Sequence, residues 1–384
     1  MKLFSWGSNS HGQLAQGQPD DLNVPTEIVQ NTCSFEDISS ITGGGGHSLL
    51  VSKNGIVYSS GAIGKEECCQ DDKMHNTFLK VSGLSSYKIT QVTAGWDFSI
   101  ALTDEGRVFT WGSNTFGQLG VTGTLKSLLP VEISINAEDS DSERDRSCMV
   151  THIVAGMRHS MALTISGDVF VWGAGRRGQL GLKNSEKLPT KQEKPKKLNS
   201  ISGVQSLVAG AFHSGALLKD GSICVWGCNK YGQSTNMEVK MLTEPYKISS
   251  CQFPLSENDI IQELHSGWSH FLVLTERHQV ISWGRCDYGQ LGRPTDLTYK
   301  NCDPKPYIVE DLGLKVKQLC CGAEHNLALL ECGSLVCWGW NEHGMCGNGN
   351  EINQLRPTKV QLPEKPSILL TGAGTGHSFA LCSN

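Results

Sequence analysis

Gly173-Ala174-Gly175-Arg176-Arg177-Gly178 has the G-x-G-x-x-G spacing that lets a backbone approach a pyrophosphate. That chemistry requires the glycines to sit between a strand and a helix, with the phosphate at the helix N-terminus. The glycine run at 43–46 has the composition of an anion cradle, but no Gly-Lys-Ser or Gly-Lys-Thr follows it. Cys224/Cys228 and Cys332/Cys337 invite a metal reading, yet they lack the paired C-x2-C spacing of a zinc site. Catalysis has no more support: a paired-carboxylate motif, Gly-x-Ser-x-Gly and His-Glu-x-x-His are all missing. The sequence therefore predicts no cofactor, no metal and no catalytic constellation.

Six of the twelve histidines, however, recur in Gly-x-x-His: His47, His159, His213, His270, His325 and His377, with Phe98 in the same place in a seventh copy. The two x positions change from copy to copy while the frame does not. They read Trp96-Asp97, Met157-Arg158, Ala211-Phe212, Trp268-Ser269, Ala323-Glu324 and Thr375-Gly376. Variable residues on a fixed frame are where recognition is written. Trp96, Trp268 and Arg158 are the large anchors of the kind that dominate interfaces; the two tryptophans also suit the plainer task of plugging a channel.

A second pattern, Trp-Gly-x-x-x-x-Gly-Gln-Leu, alternates with the first. It is clearest at Trp111 and returns at Trp6, Trp172, Trp226, Trp283 and Trp338, with a decayed copy at Ser60-Gly61. Asp-Gly or Glu-Gly turns such as Asp220-Gly221 and Glu105-Gly106 separate the two patterns, flanked by short apolar runs. That is a hairpin signal. Seven small antiparallel sheets bury their faces by packing radially. The predicted fold is all-β, a seven-bladed propeller over 1–384 as one domain. The chain starts with a Trp-Gly element lacking its Gly-x-x-His partner and ends with the converse, so strands from both termini complete one blade. The tryptophans are read as inter-blade core, and the histidines as structural groups that bond backbone left unsatisfied by the blade.

The dinucleotide-like glycines fall in register with the other Trp-Gly copies, which explains them without a nucleotide. Two segments depart from the repeat: the acidic stretch 136–147 (NAEDSDSERDRS), with Ser140 and Ser142 as candidate phosphorylation sites, and the lysine-rich stretch 183–197. Both read as surface loops. A net charge of −5 with 18% charged residues predicts no nucleic-acid binding. No run approaches a membrane span or signal peptide, and 15 scattered cysteines read as free thiols in a reducing compartment.

These two alternating patterns resemble the repeat of the regulator-of-chromosome-condensation family along the whole chain. Trp-Asp propellers differ, because here the strand ends in Trp-Gly. Segments such as Gly95-Trp96-Asp97-Phe98, Ser266-Gly267-Trp268 and Trp338-Gly339-Trp340-Asn341-Glu342-His343-Gly344 are similar to an exchange-factor branch of that family linked to secretion. The resemblance implies guanine nucleotide exchange, or guanine-nucleotide-dependent binding, toward a small GTPase or another secretory-pathway protein. It implies a monomer without bound cofactor, in the cytoplasm and also the nucleus. It points to acidic residues at the x positions, Asp97 and Glu324, as members of a GTPase face with Trp96, Arg158 and Trp268. The founding Ran exchanger carries a protruding wedge hairpin that the ordinary repeat at 111–129 lacks, which argues against Ran as the substrate. The alternative is a propeller that serves only as a protein-interaction scaffold.

Overall fold

Short runs rich in Val, Ile, Leu and Phe, ended by Gly-containing turns, make each repeat fold back on itself as a four-stranded antiparallel sheet. The computed structural model describes residues 1–29, 34–62, 74–136, 146–183, 188–296, 298–313, 315–363 and 367–383. Among them there are seven such sheets. We number the blades 1 to 6 in chain order, spanning 38–80, 89–133, 150–197, 204–248, 261–308 and 316–359, and letter the strands a to d from the axis outward. Blade 7 takes strands a and b from Ile368–Ala373 and His377–Cys382, and strands c and d from Lys2–Gly7 and Leu22–Glu27. The termini thus meet in one sheet, with Lys2 opposite Cys382 and Gly7 opposite His377. The a strands of successive blades neighbour one another around a central channel.

The b strands, such as His159–Thr164, are buried along their whole length. The core lies between blades, where each cluster draws side chains from two consecutive sheets. All six repeat tryptophans are fully buried. The indole N–H groups of Trp6, Trp172, Trp226, Trp283 and Trp338 reach back to the preceding blade: Trp172 donates to the Gln118 carbonyl at 2.9 Å and Trp226 to the Gln179 carbonyl at 2.9 Å.

The histidines bind differently from the backbone role expected of them. His159 Nε2 lies 2.9 Å from Ser214 Oγ on the next blade, and Ser214 Oγ donates to the Gln179 carbonyl at 2.8 Å. The hydroxyl's only hydrogen is engaged there, so His159 must carry its proton on Nε2 and donate. The partner is the serine that follows the next blade's histidine, a residue already inside the sequence repeat. The same pairing joins His325 to Ser378 and His377 to Ser48. It also explains the glycine of Gly-x-x-His: a Cβ on Gly156 would stand 2.1 Å from His159 Cε1.

The lysine-rich stretch expected to loop out forms a strand in its second half. Lys191–Lys197 is strand d of blade 3, pairing with strand c through Phe170 and Lys197. Outer strands pack on one face only, so a solvated Lys-rich sequence is tolerated there. Most of the acidic stretch, including Ser140 and Ser142, lies outside the described residues.

Candidate functional site

Strand b starts, and strand c ends, at the same rim of every blade, so the Gly-x-x-His turns and the loops that follow Trp-Gly share one face. The register is held by backbone bonds: the amides of Ser113, Ala174, Cys228, Arg285 and Trp340 donate to the carbonyls of Asp97, Arg158, Phe212, Ser269 and Glu324, at 2.8 to 3.1 Å. Glycine is required at the end of strand c, where Gly173 has φ +100° and a Cβ would lie 2.7 Å from the Arg158 carbonyl.

The turns are also tied to each other. Gly45 N donates to Trp96 O, Trp96 N to Met157 O, Met157 N to Gly210 O, and Ala211 N to Trp268 O. Trp268 N then donates to Ala323 O, Ala323 N to Thr375 O, and Thr375 N to Gly44 O. These bonds, 2.6 to 3.3 Å long, run once around the channel mouth and close on blade 1. The variable side chains therefore project from a belt that no blade can leave alone. Inside it lies a cavity of about 170 Å³ lined by Thr42, Thr93, Ser266, Cys321 and Thr375.

The five residues singled out in the sequence all stand on this face, but in three groups. Trp96 of blade 2 and Trp268 of blade 5 meet across the channel mouth, with ring centroids 5.5 Å apart, and Trp96 keeps 41% of its surface exposed. Asp97 lies near Arg158 of the next blade, whose guanidinium sits 4.5 Å over the Phe116 ring. Burial raises the Asp97 carboxyl above its usual range, against the opposing pull of Ser113, Arg158 and Gln118. Glu324 is apart from both and only 5% exposed. It accepts from Gln290 Nε2 at 2.7 Å and pairs with Arg285 at 3.3 Å. A carboxylate so enclosed acts through the groups it holds.

A second array was missed. In each Trp-Gly loop the two residues before the second glycine form the tip: Ser10-His11, Thr115-Phe116, Arg176-Arg177, Lys230-Tyr231, Asp287-Tyr288 and Glu342-His343. The repeat glutamine pins the tip by accepting its backbone N–H, as Gln118 does from Phe116, Gln179 from Arg177, Gln233 from Tyr231 and Gln290 from Tyr288, at 2.8 to 3.0 Å. Arg285 stands 5.1 Å from the Tyr231 ring and 4.5 Å from the Tyr288 ring, and Tyr288 leads on to Trp340 at 6.3 Å. The signal was present in the sequence as varying positions between Trp-Gly and a second glycine, followed by Gln in every one of these copies but the last.

The family model for the RCC1-like domain matches residues 2–380. This chain belongs to that family. As an RCC1-like protein it is 37% identical over 408 residues to the secretion-regulating guanine nucleotide exchange factor of Mus musculus, covering 99% of this chain and 83% of that protein. It is 29% identical over 379 residues to the ultraviolet-B receptor UVR8 of Arabidopsis thaliana, covering 98% and 80%. Among solved structures, yeast RCC1 (Prp20) bound to Kap60 superposes with a TM-score of 0.83 at 24% identity, covering 100% of this chain and 89% of that one. That likeness is one of fold, and it agrees with the RCC1-like propeller described above.

Proposed function

We propose that this protein is a guanine nucleotide exchange factor for a small GTPase of the secretory route, acting in the cytoplasm and nucleus, with the Gly-x-x-His face as its docking surface. The observation that carries the reading is the closed backbone belt, which holds aromatic, acidic and basic side chains in fixed positions around one axis. Near-full-length identity to a mammalian exchange factor of that description supports it. An exchanger binds the nucleotide-free GTPase best, and by linkage it lowers the affinity for nucleotide. Such a face needs no cofactor, only rigid groups that disturb the phosphate- and Mg2+-binding loops of the partner.

The enclosure of Glu324 favours a second reading, a scaffold that binds without exchange, because an acid already held by Arg285 and Gln290 is not free to enter a nucleotide site. Release of fluorescent GDP from a panel of purified small GTPases separates the two. Faster release from one GTPase, with tightest binding to its nucleotide-free form, supports exchange. Preference for the GTP-loaded form without faster release assigns the scaffold role.

A further inference from the structure

Among the described residues, the charge on this face is unevenly divided. Blades 3 and 4 contribute Arg158 from a turn and Arg176, Arg177 and Lys230 from loop tips, the last three exposed. The same tip positions of blades 5 and 6 carry Asp287, which is paired with Arg285 at 2.6 Å, and Glu342, both exposed, and blade 7 adds exposed Asp21, which accepts from His343 at 2.8 Å. Exposed aromatic surface accompanies the cations: Phe212 of blade 4 is 40% exposed, and Phe116 lies under Arg158. Asp97, the nearby turn carboxylate, is drawn toward Ser113, Gln118 and Arg158. Gln179, Gln233 and Gln290 pin the backbone of the tips at Arg177, Tyr231 and Tyr288, so a partner meets charges carried on a preformed frame.

We propose that the sector built by blades 3 and 4, namely Arg158, Arg176, Arg177 and Lys230, receives an acidic segment of a protein partner, with Phe212 as an apolar anchor beside it. Charge complementarity selects this occupant: exposed guanidinium groups fit carboxylates in pairs, and the acidic tips of the neighbouring blades 5 and 6 repel the same segment, which fixes its orientation. The inference deepens the docking reading and rests on it for the choice of face. It names which blades meet the partner first and what chemistry they meet.

The test uses the full chain and a fluorescein-labelled peptide of about twelve residues, rich in Glu and Asp with two Leu, at low and physiological salt. The parent should bind, more weakly as salt rises. Arg176→Glu/Arg177→Glu/Lys230→Glu should lower affinity about tenfold or more, and Phe212→Ala should lower it at both salt concentrations. Asp287→Lys/Glu342→Lys should leave affinity equal or higher. Unchanged thermal melting shows that each variant is folded. Equal peptide affinity in the triple variant overturns the proposal. So does tighter binding to phosphatidylserine vesicles than to peptide, or self-association of the parent that the same triple variant abolishes. Peptide binding that persists when no GTPase responds removes exchange and keeps this inference. Exchange that is intact in the triple variant keeps exchange and removes it.

Discussion

His159 donates from Nε2 to Ser214 Oγ across the boundary between blades 3 and 4, at 2.9 Å, while its Nδ1 is buried without a partner. Desolvation lowers the pKa of His159 from 6.5 to about 4, and those of His325 and His377 to about 3. A depressed pKa means that the unfolded chain takes up the proton first. The stability from these rings is complete above pH 6.5 and is lost as pH falls from 6.5 toward 4 and 3.

The first prediction is therefore an acid-sensitive propeller. At pH 5 each such ring should have given up about 2 kcal/mol. His159→Phe copies the residue found at Phe98, and it should be less stable than the parent at pH 7.5 but lose less on acidification. Urea midpoints between pH 7.5 and pH 5 measure both; parallel slopes for parent and variant would refute the account.

Trp283 packs face to face with Phe271 at 5.1 Å, meets Phe253 edge-on at 5.3 Å, and donates to the Gln233 carbonyl. Trp283→Ala should cost about 3–5 kcal/mol in chemical denaturation. Trp96→Ala removes a ring that is 41% exposed and should cost far less stability while weakening partner binding. A reversal of the two costs would show that the division of core from surface is wrong.

Arg293 and Asp303 form an ion pair at 2.8 Å with both side chains 4% exposed. The guanidinium also donates to Ser282 Oγ and to the carbonyls of Ser282, Pro294 and Lys305. Asp303→Ala leaves a buried cation uncompensated, and about 3–5 kcal/mol of stability should disappear. Equilibrium unfolding of that single variant is sufficient as a check.

Glu324→Ala should both destabilise the fold and weaken binding, since it strips Arg285 and Gln290 of their shared acceptor. Glu324→Gln retains the shape and one acceptor, and should recover most of the stability. If Glu324→Gln exchanges nucleotide as the parent does, the carboxylate charge has no part in exchange; a selective loss of exchange with stability retained would return Glu324 to the reacting surface.

Deleting residues 1–12 removes the strand Lys2–Gly7 from between His377–Cys382 and Leu22–Glu27. The ring then exposes two strand edges, and thermal unfolding should broaden and shift downward. A truncated chain that melts like the parent would rule out the shared blade as the clasp.

Much of this protein is written locally. Trp, Gly and His recur at fixed phase because each blade repeats the same bonds, so period alone gave seven sheets, the buried tryptophans and the blade shared by the termini. The varying turn residues from Trp96 to Glu324 were legible for the same reason, as change against a constant frame. The tertiary structure decided what depends on contacts between blades far apart in the chain. Nothing near Trp96 announces Trp268 across the mouth, and nothing near Glu324 announces Arg285. Lys191–Lys197 became a strand because an outer strand needs only one packed face and a partner to bond, conditions that a lysine-rich sequence meets without showing an apolar pattern. The belt at the channel mouth joins backbone groups alone. Side-chain identity carries no record of it, and only ring closure brings those amides and carbonyls together.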